Sequence, residues 1–185
     1  GIPVAFEATD ALSGIRATYY SIDGGATQTY GKPFTADLST GVHTITYWSE
    51  DVAGNDEAKD SVRTTEVKVD TVAPEIAAKQ SPAANAAGWN NTDVDVTFTC
   101  TDEDSGIDGV AGCAGDTTLS NDGAGQVVRG DAVDVAGNRS GADSGPVNID
   151  RTRPTLVGVP SDPNGAGWYK DDVVVTWVGD DALSK

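Results

Sequence analysis

The chain has 185 residues, 38% of them hydrophobic, with two cysteines, no methionine and a formal net charge of −17. No run approaches the ~18 apolar residues that a membrane-crossing helix needs, and the acidic excess repels nucleic acid and anionic lipid while it concentrates cations. The many Thr, Val, Ala and Asp residues between glycines favour short strands and tight turns over helices.

The chain enters on a strand at Ile2, turns through residues 10–14 and continues as a strand over 17–22. Asp23-Gly24-Gly25 predicts a hairpin turn, since glycine takes positive φ at no steric cost, and residues 27–30 pair back. Gly31-Lys32-Pro33 interrupts, a short strand follows over 34–38, and a longer one over 42–50 turns His43, Ile45, Tyr47 and Ser49 inward. His43 has no Ser, Cys or carboxylate at a telling distance in sequence and reads as a structural lining residue. Beyond Asp51-Val52-Ala53-Gly54-Asn55 a last strand is predicted over 61–69. Asp70-Thr71-Val72-Ala73-Pro74 then reads as a stiff, extended connector, because proline lacks a backbone donor and holds the residue before it extended.

Next comes the stretch that organises the chain, Val94-Asp95-Val96-Thr97-Phe98-Thr99-Cys100, followed by the acidic turn Asp102-Glu103-Asp104-Ser105-Gly106. Its period of two predicts a half-buried strand with Val94, Val96, Phe98 and Cys100 on one face. The pattern recurs at both ends of the chain: Val4, Phe6, Asp10 and Ser13 are spaced as Val96, Phe98, Asp102 and Ser105, and so are Val175, Trp177, Asp181 and Ser184. Past the Cys113 segment and a Gly-rich turn at 121–125, a strand is predicted over 126–133. The pentapeptide at 51–55 then returns as Asp134-Val135-Ala136-Gly137-Asn138, and the connector returns as Asp150-Arg151-Thr152-Arg153-Pro154.

A period of roughly 80 to 90 residues signals an array of small domains. The boundaries that follow are 1–72, a copy lacking its opening strand; 73–152, a complete copy; and 153–185, the opening strands of a third. Such ends leave open sheet edges, which invite pairing. Two accounts stand: a window on a longer array, or a strand shared between neighbouring copies, with residues 155–163 as the segment that can be donated. Cys100 and Cys113 lie in one copy, either side of the acidic turn, where neighbouring antiparallel strands bring them within bonding range; two buried thiols are the alternative. A zinc site is a poor reading, with His43 alone available and in another copy.

The junction at 69–74 with its cousin at 149–154, the D-x-A-G-N of Asp51 and Asp134, and the D-x-x-S-G-I of Asp10 and Asp102 together resemble the tandem Ig-like repeats of large bacterial surface and secreted proteins. The first copy is similar to repeats found in some cell-wall and carbohydrate-active proteins, and the second to a variety with a cysteine pair at the positions of Cys100 and Cys113. The resemblance implies an all-β fold of antiparallel β-sandwiches, about seven strands each over a core ~10 Å thick. It also implies a Cys100–Cys113 disulfide and an extracellular or cell-surface location. The implied role is that of a spacer, stalk or adhesion segment, partnered by neighbouring repeats, copies of itself, surface glycans or proteins, with no nucleic acid and no membrane insertion.

Some members of that family carry calcium at the junctions. Sandwich topology brings Asp70, the turn holding Asp102 and Asp104, and Asp134 with Asn138 to one pole, and calcium wants 6 to 8 oxygen ligands. The same residue types also cap turns by bonding their own backbone, so a calcium site and a set of turn caps are both open readings.

Nothing in the sequence assembles a catalyst. Ser13 and Ser105 sit beside glycines without a partner His, and the paired carboxylates lack an aromatic-lined groove. Tyr19, Tyr30, Trp48 and Trp89 are the rings that could stack on a sugar, which makes a carbohydrate-binding accessory module of a secreted enzyme one alternative function. A subunit of a strand-complemented extracellular filament or sheath is the other.

Overall fold

The computed structural model describes residues 1–110 and 112–184. The chain gathers into two compact units, one of Gly1–Pro74 with Thr101–Gly109 and Val133–Arg139, the other of Glu75–Cys100, Val110–Ala132 and Ser140–Lys185. The two acidic loops at 101–109 and 133–139 therefore pack with the first copy, although in sequence they belong to the second. Antiparallel sheets build the chain, as an all-β sandwich class requires.

In the first unit the strands are β1 (Ile2–Val4), β2 (Ile15–Ile22), β3 (Gln28–Tyr30), β4 (Phe34–Ala36) and β5 (Gly41–Asp51), then a helical turn α1 (Glu57–Asp60) and β6 (Arg63–Val69). They form a four-stranded sheet in the order β3-β2-β5-β6 and a two-stranded sheet β1-β4. Val4 and Ala36 from one sheet bury against Ile45 of the other, with Phe6, Phe34, Tyr47 and Val67 packed around them. Phe6 is the hub, its ring 5.0–5.6 Å from those of Tyr20, Tyr30 and Tyr47. Each such ring pair adds about 0.5–1.5 kcal/mol beyond burial.

The turn after β2 forms as its sequence predicts, with positive φ at Asp23 (50°) and Gly24 (69°), the backbone that a tight hairpin turn needs. The predicted inward set of β5 is borne out, Ile45 being buried and His43, Tyr47 and Ser49 half-buried. The last strand begins later than the sequence suggests, at Arg63, because α1 occupies the residues before it. Asp56 caps that turn by accepting from Ala58 N, and Glu57 reaches out to Arg63 at 3.0 Å and to Ser49 N.

Asp23 does more than turn the chain. Its carboxylate accepts from Thr44 N and pairs with His43 Nδ1 at 2.7 Å, while His43 Nε2 meets the Ser39 carbonyl. The Asp23 carboxylate, then the Ser39 carbonyl, raise the His43 pKa above its ordinary 6.5, and the imidazole holds Asp23 below 3.8. A raised His contributes stability that is complete below 6.5 and lost as pH climbs through the folded value; a lowered Asp contributes stability present above 3.8 and lost as pH falls. The first unit is therefore expected to melt highest between those two limits and to weaken above neutrality. Thermal melts across pH check this, and His43→Gln should flatten the alkaline limb while leaving the acid limb in place.

The second unit contains β7 (Glu75–Ser81), β8 (Val94–Thr101), β9 (Thr117–Leu119), β10 (Gly123–Gln126), β11 (Arg129–Val133), β12 (Arg139–Asp143) and β13 (Val147–Ile149). Sheets run β7-β8-β9, β10-β13 and β11-β12. The alternation of β8 is realised in full: Val94 and Val96 are sealed from solvent and Phe98 nearly so, while Asp95 and Thr99 face out. Val94, Val147 and Ile149 form the core with Leu119 against them. Gly130 lets the Phe98 ring close, since a Cβ there would stand 2.5 Å from it. The strand predicted over 126–133 is split into β10 and β11, and the glycine run at 123–125 is itself strand, with a bulge between Gly123 and Gln126.

Cys100 and Cys113 form the expected disulfide, with Cα atoms 5.8 Å apart. Disulfides belong to oxidising compartments, so the bond points to a non-cytoplasmic location, and no helix among the described residues is long and apolar enough to cross a membrane. Arg151 braces the second connector by bonding Asp93 and Asp122, each at 2.8 Å, and the Ser120 carbonyl. Beyond it, β14 (Thr155–Pro160) and β15 (Val175–Asp180) pair antiparallel from Thr155↔Asp180 to Pro160↔Val175. Every residue of this pair is exposed, Leu156, Val157 and Trp177 included.

Candidate functional site

The recurring motifs fold into one recurring piece of hydrogen bonding. In the first copy Asp51 accepts from Asn55 N and Asn55 Nδ2, Gly54 N donates to Asp51 O, and Val52 N donates to Gly14 O. In the second copy Asp134 accepts from Asn138 N and Nδ2, Gly137 N donates to Asp134 O, and Val135 N donates to Gly106 O. Asp10 gathers the amides of Leu12, Ser13 and Gly14 on one oxygen, as Asp102 gathers those of Asp104 and Gly106. Positive φ at Gly14 (83°) and Gly106 (81°) makes these wraps possible, which is why serine is followed by glycine in both.

Where the second copy differs is in what the connector adds. Asp70 accepts from Ser105 N at 3.2 Å and from Val72 N at 2.9 Å, and its main-chain carbonyl accepts from Asn138 Nδ2. Hydrogen bonds from the Ser105 side chain and from the Val72 and Ser105 amides hold the Asp70 pKa below the ordinary carboxylate value. Asp70, Asp102 and Asp134 thereby converge, with one carboxylate oxygen of each within 4.8 Å of the others. Asp134 is buried at 1% exposure and the other two are half-buried. All three belong to the first compact unit.

No protein-family model and no curated protein matches this chain. Its chemistry therefore has to be read from its own geometry. Of the four residues expected at the pole, three meet. Asp104 lies outside the group, exposed, its amide spent on the Asp102 carboxylate that it helps to orient. Ser105 is the residue that the sequence reading passed over: its amide holds Asp70, and its hydroxyl accepts from Ala136 N.

The third copy begins to rebuild the same arrangement. Asp150 accepts from Thr152 N and Ser184 N, and Asp181 accepts from Leu183 N and Ser184 N. These are the counterparts of Asp70 with Val72 and Ser105, and of Asp102 with its turn. The candidate sugar-stacking rings are otherwise engaged: Tyr19 stacks on Trp48, centroids 5.7 Å apart, and Tyr30 stands edge-on against Phe6.

Proposed function

We propose that the chain is a non-catalytic, extracellular spacer or stalk segment made of tandem Ig-like repeats, whose connector is fixed by calcium at Asp70, Asp102 and Asp134. The observation that carries this reading is the capture of the connector by two loops of the following copy, through Ser105 to the Asp70 carboxylate and through Asn138 to the Asp70 carbonyl. The onset of the same capture at Asp150 and Ser184 supports it as the rule of the array rather than a local accident. Three carboxylates spaced within 4.8 Å match the separation of oxygens around one calcium ion, which sits about 2.3–2.6 Å from each ligand. The disulfide supports an oxidising compartment, and the stacking of Tyr19 on Trp48 favours a sheet face that holds itself together over one that holds a sugar.

A ligand that binds only the folded chain raises its stability by mass action, by about 2.7 kcal/mol at a hundredfold excess over Kd. Calorimetry of the chelated chain is expected to show the melting temperature rising with added calcium and falling again with chelator, and Asp102→Asn should abolish the response. If calcium produces no shift, and Asp70→Ala melts like the parent with and without chelator, the three carboxylates are turn caps. A glycan-binding screen tests the spacer role itself: capture of one sugar class moves the function to a carbohydrate-binding module.

A further inference from the structure

The residues after β1 behave unlike their counterparts. β8 runs eight residues between β7 and β9, and β15 runs six along β14. The equivalent stretch in the first unit stops being a strand at Val4; residues 5–10 have no strand partner among the described residues, and β1 has β4 on one side only. The other sheet of that unit ends at β6, also an edge. Between the two edges lies a cleft of about 830 Å³, walled by Val4, Phe6 and Ala8 on one side and by Tyr47, Thr65 and Val67 on the other. A row of unpaired N–H and C=O groups beside apolar side chains is a template for an added strand.

We propose that this cleft is a strand-acceptor site filled by β14 of a second copy of the chain. The proposal goes beyond the spacer role and rests only on the alignment of the three copies. Val175, Trp177 and Gly179 of β15 align with Val4, Phe6 and Ala8. Carrying over the β14–β15 register sets Pro160 opposite Val4, Gly158 opposite Phe6 and Leu156 opposite Ala8. Leu156 and Gly158 are the counterparts of Ile76 and Ala78, inward residues of β7, whose alternate side chains are half-buried. Leu156, exposed in its own hairpin, gains an apolar pocket, and Gly158 leaves room for the Phe6 ring as it does for Trp177, which a Cβ at Gly158 would meet at 2.9 Å.

Charge selects the donor. The far end of the cleft is lined by Asp10, Asp51, Asp56 and Glu57, with Arg63 the one cation there and already paired to Glu57. β14 is preceded by Arg151 and Arg153, and the register brings the exposed Arg153 just past Thr9, next to Asp10. The connector before β7 has Thr71 and Ala73 at the matching positions and offers no such charge. A contact of this kind is head-to-tail and leaves a donor strand and an empty cleft at the two ends, so it grows into open chains of copies.

Sedimentation velocity of the whole 185-residue chain tests this. The average mass is expected to rise with concentration. Arg153→Glu with Leu156→Asp, both at exposed positions, should weaken association about tenfold or more, and a synthetic peptide of residues 151–161 should compete. Register is read by mixing Glu7→Cys chains with Val157→Cys chains under oxidation, which should yield a mixed disulfide dimer. A chain that stays monomeric at every concentration overturns the proposal even if the peptide binds, since the strand would then come from elsewhere. Association without the mixed cross-link overturns it too. Neither outcome touches the calcium titration, so failure here and failure of the spacer reading remain distinct.

Discussion

Replacing Cys100 and Cys113 together by serine is expected to lower stability by about 3 kcal/mol, the largest single effect short of emptying the core. The bond closes a loop over a sequence separation of 13, and in the chain-entropy account a loop of that size restrains the unfolded ensemble by about that amount. The unit that contains it needs the restraint. Its buried core is Val94, Val147 and Ile149 with Leu119, a small cluster for a unit whose sheets are two- and three-stranded. The loop also carries the acidic turn, so its loss frees residues 101–112 to fluctuate and should weaken calcium binding along with the fold. Differential scanning calorimetry of the double mutant, or of the parent with and without reductant, reads the effect as a drop of roughly 10–20 °C. A drop of only a degree or two would mean that the sheet pairing of β8 and the Cys113–Ala132 bridge already hold this segment.

Asp134→Ala comes next, with an expected cost of about 3 kcal/mol in calcium-free buffer. The side chain is 1% exposed and accepts from both the amide and the side-chain nitrogen of Asn138. Removing it leaves those donors facing a cavity and releases the Asn138 side chain from the pose in which it also reaches the Asp70 carbonyl. Asp51 makes the same two bonds to Asn55, but Asp51 is half-buried and Asn55 exposed, so water can replace what Asp51→Ala removes. The two substitutions compare one hydrogen-bond pattern in two degrees of burial. Asp51→Ala should cost clearly less by urea denaturation, and equal costs would show that the pattern rather than the burial carries the energy.

Strand β8 was legible in the sequence because a half-buried strand leaves a period of two, and Val94, Val96 and Phe98 obey it. The turn at Asp23 and the cysteine pairing were legible for similar reasons, each a local chemical need written in residue type. Helix α1 left no trace, since one turn is too short to show a period. β10 hid inside a glycine run that ordinarily marks a loop, and only its pairing with β13 makes it a strand. Asp102 and Asp104 look alike on paper. Which of them faces the pole is decided by the turn, in which Asp102 accepts the Asp104 and Gly106 amides and thereby leaves Asp104 in solvent. Ser105 was missed because its contribution to Asp70 comes from its backbone amide, which every residue has. The cleft could not be seen strand by strand; it shows only when β1, β8 and β15 are compared in length.

The disulfide also sets how far the chain can be drawn out. When a stalk segment is pulled from its two ends, an unfolding unit lengthens by nearly the full contour of its residues, but the stretch locked between Cys100 and Cys113 cannot pay out. At ~3.4 Å per residue that withholds roughly 40 Å of extension. An oxidised copy thus yields a shorter step under tension than a reduced one, and the difference is a length, read directly in single-molecule pulling, by which the redox state of each copy can be counted along the array.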